Sequence, residues 1–167
     1  MRLASEGNLI VYPLIVIFGI TFAFSYLTEF DILYIQIIIF VVLVFCLNFF
    51  RDPSRIIPKN KNSIISPADG KIIKIKEFED PESGKKLKLI SIFLSVFNVH
   101  ANRMPVDGKF INVKYVKGDF LAAFDHRASE KNERMEISID TEFGVIVVKQ
   151  IAGLVARRIL CYAKESK

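Results

Sequence analysis

The 167-residue sequence has little of several residue types that would direct it to a particular chemistry. It contains only two cysteines and two histidines. Cys46 lies in an apolar run and Cys161 in a late strand-like segment, so no disulfide between them is expected, and the pair fits a reducing compartment. Internal repeats, low-complexity segments and recognised nucleic-acid motifs are also absent from the sequence. We therefore expect no nucleic-acid partner, and no metal site.

Charge is missing from two long stretches near the amino terminus. Residues 8–28 and residues 32–50 contain no charged side chain, and only "EFD" separates them. Each run is long enough to cross the roughly 30 Å hydrocarbon core of a bilayer as a helix. A cleaved signal peptide would have a shorter apolar part followed by a small-residue cleavage site. The pattern predicts a transmembrane helical hairpin, with a buried or interfacial hairpin as the alternative.

Basic residues are distributed unevenly around these runs. The connecting segment carries Glu29 and Asp31 but no basic residue, Arg2 precedes the first run, and four basic residues soon follow the second: Arg51, Arg55, Lys59 and Lys61. The positive-inside tendency places both termini, and hence everything after residue 50, on the cytoplasmic face of the cell (inner) membrane.

The part of the chain after residue 50 is cationic. It holds 22 of the 23 basic and 15 of the 18 acidic residues, a net charge of +7. Such a domain is attracted to anionic lipid by about 1 kcal/mol per basic residue near the surface. A solvated basic surface that keeps the domain soluble accounts for many of these lysines equally well.

Alternating and β-branched patterns dominate after the apolar runs, so we predict a mainly β protein. The anchor would occupy residues 1–50, a linker residues 51–62, and an all-β barrel or sandwich-like domain of about seven strands residues 63–167. A short helix or an irregular flap is expected at 120–123. Turn signals separate the strands at "DPESGKK", "PVDGK" and "DTEFG", and the last predicted strand is "RRILCYA".

Unusual polar residues concentrate in "SPADG" (66–70), "NVHANRMP" (98–105), "KNER" (131–134) and "IAGLVARRI" (151–159). His100 is the default proton donor or acceptor, because an imidazole titrates near neutrality. A nearby carboxylate such as Asp69 would fix its tautomer. Four arginines in these segments can bind phosphate or carboxylate: Arg103, Arg134, Arg157 and Arg158.

Each of these residues also has a purely structural interpretation. Asp69 is of a type common in turns, His100 could be a hydrogen-bonded residue at a strand end, and at least two of the arginines could pair with surface carboxylates. The other histidine, His126, is expected to be exposed and without a role.

Five segments together resemble a family. "FFRDPSR", "ISPADGKI", "FLSVFNVHANRMPVDG", "KNERM" and "VKQIAGLVARRILCY" are similar, in order and spacing, to the β-chain region of the short bacterial phosphatidylserine decarboxylase. The resemblance implies a lyase of phospholipid biosynthesis that converts phosphatidylserine to phosphatidylethanolamine and CO2. It also implies a pyruvoyl cofactor, made when the proenzyme is cut at a Gly-Ser bond into β and α chains, and no metal.

The resemblance implies roles for seven residues. His100 is expected to be catalytic as proton donor and substrate orienter, and Asp69 as its partner or as an aid to self-cleavage. Substrate binding is expected of five residues: Asn102, Arg103, Glu133, Arg134 and Arg157. The implied partners are the phospholipid membrane, phosphatidylserine and the α chain, with a homodimer as a further option.

The sequence departs from the family pattern at one decisive feature. None of its eight glycines is followed by serine, so it lacks the pyruvoyl-forming serine and the α chain. We expect one of three origins: a shortened stretch of a complete proenzyme, an interrupted gene, or a pseudo-enzyme that keeps a lipid-binding surface. A membrane-tethered β module that binds anionic lipid without chemistry is the alternative from a different functional class.

Overall fold

The computed structural model describes residues 2–60, 62–80, 84–122, 125 and 127–163. Its elements in chain order are α1 (Ser5–Thr28), α2 (Leu33–Phe49), β1 (Lys71–Glu79), β2 (Lys86–Phe93), β3 (Lys109–Val116), α3 (Ala128–Lys131), β4 (Arg134–Thr141) and β5 (Gly144–Ile151). His126 and the centre of the predicted "DPESGKK" turn, residues 81–83, lie outside the described residues.

The chain forms two compact units. The first consists of Met1–Lys59 and Ala68–Asn102, and the second of Asn60–Pro67 and Arg103–Lys167. The boundary between Asn102 and Arg103 divides the "NVHANRMP" segment. His100, Asp69 and Asn102 therefore belong to the first unit, and the remaining predicted site residues belong to the second.

In the first unit, α1 and α2 pack as an antiparallel pair. The Gln36 Nε2 group donates a hydrogen bond to the Thr21 carbonyl at 3.1 Å, and the rings of Phe18 and Phe40 lie 6.0 Å apart. The chain reverses after α1 through Glu29, whose φ of 56° is in the left-handed region. Most of the apolar side chains of both helices are exposed, although neither helix carries charge beyond its first turn.

The two helices differ in length. Among the described residues, α1 is long and apolar enough to cross a membrane, whereas α2 has 17 residues. At about 1.5 Å per residue, α2 falls a few ångströms short of a hydrocarbon core of roughly 30 Å. The helix bounds lie within a few residues of the predicted runs, 8–28 and 32–50.

Strands β1 and β2 form an antiparallel two-stranded sheet in the first unit. Ile75 pairs with Ile90 and Phe78 with Leu87, and the register shifts between Ile72 and Lys74. All nine residues of β1 are exposed. This ribbon is therefore held mainly by its own backbone hydrogen bonds and cross-strand pairs.

Strands β3, β4 and β5 form the antiparallel sheet of the second unit, with β4 in the centre. Ile137 and Ile139 on β4 are buried, and Ile139 is only 1% exposed. Their cross-strand neighbours are mostly apolar: Val113 and Phe110 on β3, and Val148 and Ile146 on β5. The opposite face of β4 carries Glu136. The period-2 alternation of the sequence therefore separates a core face from a charged face.

The fold-class prediction is corrected in two respects. The described strands form two separate sheets and not a closed barrel, and helix and strand are present in about equal measure, so the chain is not mainly β. Two predicted strands are also missing, because residues 63–66 and 157–163 are irregular. These segments have β-branched or apolar residues but belong to neither of the two described sheets, and the Ile65 N–H instead donates to the Pro105 carbonyl at 2.9 Å.

The region around the predicted flap contains a four-residue helix, α3, later than expected. Residues 120–122 are irregular and not helical, while Ala123 lies outside the described residues. Asp119 forms an isolated parallel bridge with Asn132. The flap is therefore attached to the segment that enters β4.

Candidate functional site

The loop that follows β2, residues 94–102, holds His100 and is called the His100 loop here. It begins with a turn in which the Asn98 N–H donates to the Ser95 carbonyl at 2.9 Å. The Asn98 Oδ1 atom accepts hydrogen bonds from the Ser95 N–H and from the Ser95 hydroxyl, both at 2.8 Å. Val99 is buried. The loop is thus fixed on both sides of Asn98.

The imidazole of His100 is half-buried, and its Nδ1 atom lies 3.0 Å from the Asn98 carbonyl oxygen. A carbonyl can only accept, so Nδ1 carries the hydrogen and Nε2 is the acceptor in the neutral ring. Among the described residues, Nε2 has no hydrogen-bond partner. In the neutral ring, Nε2 is therefore the atom that can bond an external group.

The carboxyl end of α2 contacts the same imidazole. The ring of Phe49 stacks on it with 4.2 Å between ring centroids and 29° between planes. The Arg51 Nη2 group donates to the Phe97 carbonyl at 2.7 Å. Burial lowers the pKa of His100 below its ordinary 6.5, the Asn98 carbonyl opposes this, and the positive charge of Arg51 adds to the lowering. His100 is therefore mainly neutral at neutral pH.

Asp69 lies in the turn before β1, and its carboxylate forms an ion pair with Arg55. The adjacent Gly70 passes close to the end of β2, where an added Cβ would lie 2.5 Å from the Phe93 carbonyl oxygen. The His100 tautomer is fixed by the backbone carbonyl of Asn98, and not through a bond to Asp69. The catalytic role of Asp69 stays a prediction. Asn102, at the end of the loop, is exposed.

In the second unit, Asn132 is fully buried and joins three segments. Its Nδ2 group donates to the carbonyls of Leu121 at 2.9 Å and Ala152 at 2.8 Å, and its Oδ1 accepts the Leu121 N–H at 2.9 Å. The backbone reinforces this junction, because the Glu133 N–H donates to the Asp119 carbonyl and the Ala152 N–H to the Glu133 carbonyl. We call this arrangement the Asn132 junction.

Three predicted substrate-binding residues lie around the Asn132 junction. The Glu133 carboxylate, through hydrogen bonding and its negative charge, raises the pKa of the Tyr115 hydroxyl. Arg157 is exposed, donates from Nε to the Leu154 carbonyl at 3.0 Å, and lies 5.6 Å above the ring of Phe120. Its remaining N–H groups suit an anion in fork geometry.

Arg134 is already engaged within the protein. Its Nε donates to Glu136 at 2.7 Å and its Nη1 to the Glu130 carbonyl at 2.8 Å. Lys149 lies 3.3 Å from the same carboxylate. These partners hold the pKa of Glu136 below its ordinary value, with Arg134 the main cause. Arg103, which is half-buried, uses its backbone N–H to bond the Pro67 carbonyl at 2.9 Å.

Asn132, Phe49 and Arg51 are not among the site residues that the sequence predicts. All three lie inside quoted motifs, "KNERM" and "FFRDPSR", but nothing in the spacing shows that an amide is buried or that a ring meets an imidazole. Across the described residues, no group of three or more histidine, cysteine or acidic side chains is arranged to hold a metal ion.

Comparison with known proteins identifies the family. The family model described as phosphatidylserine decarboxylase matches residues 42–167. That match covers the end of α2, the His100 loop and the Asn132 junction. The chain belongs to the phosphatidylserine decarboxylase family.

Curated phosphatidylserine decarboxylase proenzymes are similar to most of the chain. The protein of Chlorobaculum parvum is 46% identical over 130 residues, which are 78% of this chain and 61% of that protein. The protein of Wolbachia pipientis wMel is 53% identical over 122 residues, 70% of this chain and 53% of that protein. For Chlorobaculum tepidum the identity is 51% over 119 residues, 71% of this chain and 55% of the relative.

The chain thus spans only about half to three fifths of the length of the phosphatidylserine decarboxylase proenzymes that it matches. The resemblance inferred from the five motifs is confirmed as a family relationship.

Proposed function

We propose that this chain supplies the His100 loop and the anion-binding side chains of a membrane-bound phosphatidylserine decarboxylase, which releases CO2 from the serine headgroup. The observation that carries the proposal is the family match over residues 42–167 together with a neutral imidazole whose Nε2 is available. The substrate, the reaction and the α chain as partner belong to the proposal.

A pyruvoyl group would supply a carbonyl that accepts the electron pair left when CO2 departs. The 167 residues contain no Gly-Ser pair, so the serine that forms it must come from another segment. The Nε2 atom of His100, an acceptor in the neutral ring, fits the substrate ammonium that would react with such a carbonyl. His100 is the residue of this chain that we expect nearest to it.

The tautomer of His100 suggests the order of proton transfers. Nδ1 keeps its hydrogen on the Asn98 carbonyl, so Nε2 can take a proton from the substrate ammonium, which must become a free amine before it reacts with a carbonyl. After CO2 leaves, the same Nε2–H returns that proton to the substrate carbon. The imidazole ends neutral, and its lowered pKa favours this return.

Anion recognition is assigned first to Arg157, and Arg103 stays a substrate-binding proposal. Arg157 is exposed and retains N–H groups beyond the one bonded to Leu154, which suits a phosphate or carboxylate. Arg134 is a less direct candidate, because Glu136 neutralises it, and its substrate-binding role stays a proposal. Asn102 and Glu133 remain substrate-binding proposals, with Glu133 suited to the substrate ammonium.

We also propose that α1 and α2 hold the protein in the cell (inner) membrane with the rest of the chain on the cytoplasmic face. The exposed apolar side chains of both helices support contact with lipid. The acidic connection between them and the basic residues after α2 support the orientation. A homodimer stays a further proposal.

The function is tested by completing the proenzyme. Residues 1–167 are fused to the segment that follows the matched region in the Chlorobaculum parvum relative, and CO2 release is measured from carboxyl-labelled phosphatidylserine in vesicles. We expect self-cleavage and CO2 release. His100→Gln should lower CO2 release by about a hundredfold or more, because it removes the proton-transferring atom.

The chain's other histidine provides the matched control. His126→Gln makes the same chemical change and should leave CO2 release unchanged. Activity that survives His100→Gln would contradict the role of His100. A cleaved fusion that binds vesicles but releases no CO2 would contradict decarboxylation and favour a lipid-binding protein without chemistry.

A further inference from the structure

We infer that the carboxyl end of α2 positions the imidazole of His100, through ring stacking by Phe49 and through the bond from Arg51 to the Phe97 carbonyl. Phe49 and Arg51 are positioning residues in this inference, since they act on His100 and not on the substrate. The effect of this positioning on catalysis rests on the proposed function. The positioning of His100 itself does not.

Aromatic rings are in contact from the end of α2 to His100. Phe49 is the last residue of α2, and its ring lies between those of Phe45 at 6.0 Å and His100 at 4.2 Å. The ring of Phe50 meets Phe49 edge-on at 5.1 Å. Ring contacts of this kind favour particular mutual orientations. The orientation of the imidazole is therefore linked to that of the helix end.

The His100 loop is also attached to the carboxyl end of α2 through Arg51. The Arg51 guanidinium donates to the Asn48 carbonyl and to the Asn48 side chain, and on its other side to the Phe97 carbonyl at 2.7 Å. Charge-assisted bonds to a carbonyl fix distance and direction together. Arg51 thus holds the loop at Phe97, the residue immediately before Asn98–Val99–His100.

The carboxyl end of α2 is itself restrained by the start of the chain. The Ala4 N–H donates to the Phe50 carbonyl at 2.9 Å, and the Asp52 N–H donates to the Arg2 carbonyl at 2.8 Å. Gly7 of α1 passes so close to Phe50 that an added Cβ would lie 2.5 Å from its side chain. Because these contacts join the start of α1 to the end of α2, we infer that Phe49 and Arg51 are held in position beside His100.

These contacts predict an effect on the protonation of His100 that is separate from activity. Phe49 contributes to the burial that disfavours the imidazolium, and Arg51 is the charged group whose field acts on the ring. Replacing either residue should therefore raise the pKa of His100 towards 6.5. The acceptor at Asn98 is unchanged in these variants.

The experiment uses the whole chain in lipid nanodiscs with selectively labelled histidine. His126→Gln leaves a single imidazole, whose pKa is read from an NMR titration. Phe49→Leu and Arg51→Gln should each raise that pKa, whereas Phe49→Tyr, which keeps a ring, should leave it near the starting value. Phe40→Leu is the matched control, because Phe40 lies on the same helix and contacts Phe18.

The same variants in the fused proenzyme test the consequence for catalysis. Phe49→Leu should reduce kcat for CO2 release by about ten- to a hundredfold, since small misplacement of a reacting group is costly, with KM little changed and Phe49→Tyr restoring the rate.

A His100 pKa that is the same in Phe49→Leu, Arg51→Gln and Phe40→Leu overturns the inference. Unchanged kcat in Phe49→Leu overturns the catalytic consequence. A shifted pKa with no CO2 release from any fusion leaves the positioning intact and rejects the proposed function.

Discussion

At the scale of single residues, His100 and Asn132 show two uses of a polar side chain. The imidazole has one nitrogen bonded and one available, which suits proton transfer. The Asn132 amide has both of its polar atoms bonded, in three hydrogen bonds, and is fully buried. The first arrangement supports chemistry and the second supports structure.

The Asn132 junction predicts a large stability effect. Asn132→Ala removes the hydrogen bonds of the Leu121 N–H, the Leu121 carbonyl and the buried Ala152 carbonyl, so the free energy of unfolding should fall by about 3 kcal/mol. Asn132→Asp keeps the acceptor oxygen but loses the N–H donors and buries a charge, so it should not restore stability. Thermal unfolding followed by circular dichroism measures both. A change within about 0.5 kcal/mol in Asn132→Ala would contradict the role of the junction.

Glu136 predicts a pH-dependent contribution to stability. Its pKa is lower in the folded protein than the ordinary 4.5, so its stabilisation is present above pH 4.5 and is lost as pH falls through the folded-state pKa. Glu136→Gln should cost about 1 kcal/mol at pH 7, and this difference should shrink as the pH falls below 4.5. Glu142→Gln, in the exposed β4–β5 turn, is the control and should cost little at either pH. A Glu136→Gln cost that is independent of pH would refute the ion-pair explanation.

At the scale of elements, the second unit depends on how closely its flap approaches the segment entering β4. The Asp119 N–H donates to the Lys131 carbonyl and the Glu133 N–H to the Asp119 carbonyl, each within 2.9 Å. This approach requires a residue without a side chain just before Asp119. Gly118 occupies that position.

Alanine substitutions at two glycines of the second unit should therefore differ in their effect on stability. An added Cβ at Gly118 would meet the Lys131 carbonyl and the Asn132 backbone, whereas Gly153 has no atom within 4 Å of such a Cβ. Gly118→Ala should destabilise by about 2 kcal/mol, and Gly153→Ala should be close to neutral. Hydrogen exchange of the β4 amides distinguishes them, with faster exchange only in Gly118→Ala. Equal exchange in the two variants would contradict the close approach.

At the scale of the whole molecule, the first unit combines the apolar helices with the His100 loop. In the proposed function, α1 and α2 do more than hold the protein in the membrane, because Phe49 at the end of α2 contacts His100. A lipid substrate and His100 would then meet at the same membrane surface.

The proposed orientation in the membrane can be tested with two matched cysteines. In a background without Cys46 and Cys161, Phe30→Cys labels the connection between α1 and α2, and Tyr162→Cys labels the cationic part; both parent side chains are well exposed. A membrane-impermeant maleimide should modify Phe30→Cys in intact spheroplasts and Tyr162→Cys only after permeabilisation. The reverse pattern would invert the orientation, and equal labelling of both sites would argue against a spanning hairpin.

Much of the local structure follows from sequence patterns. The uncharged runs predict α1 and α2 within a few residues, because a helix satisfies its own backbone and needs no distant partner. Alternation predicts β1 to β5. The strand that alternation predicts at "RRILCYA" is not formed, because a strand requires a neighbouring strand with which to pair. The prediction of a closed barrel was wrong for the same reason.

The sequence by itself determined the family, the apolar helices and the candidates His100 and Asp69, because composition and motif order are local properties. Only the tertiary structure decided that the Asn98 carbonyl sets the tautomer of His100, that Phe49 stacks on it and that Asp69 pairs with Arg55. The second and third contacts join separate segments, and in the first the direction of the imidazole depends on the packing around the loop, which no spacing along the chain encodes.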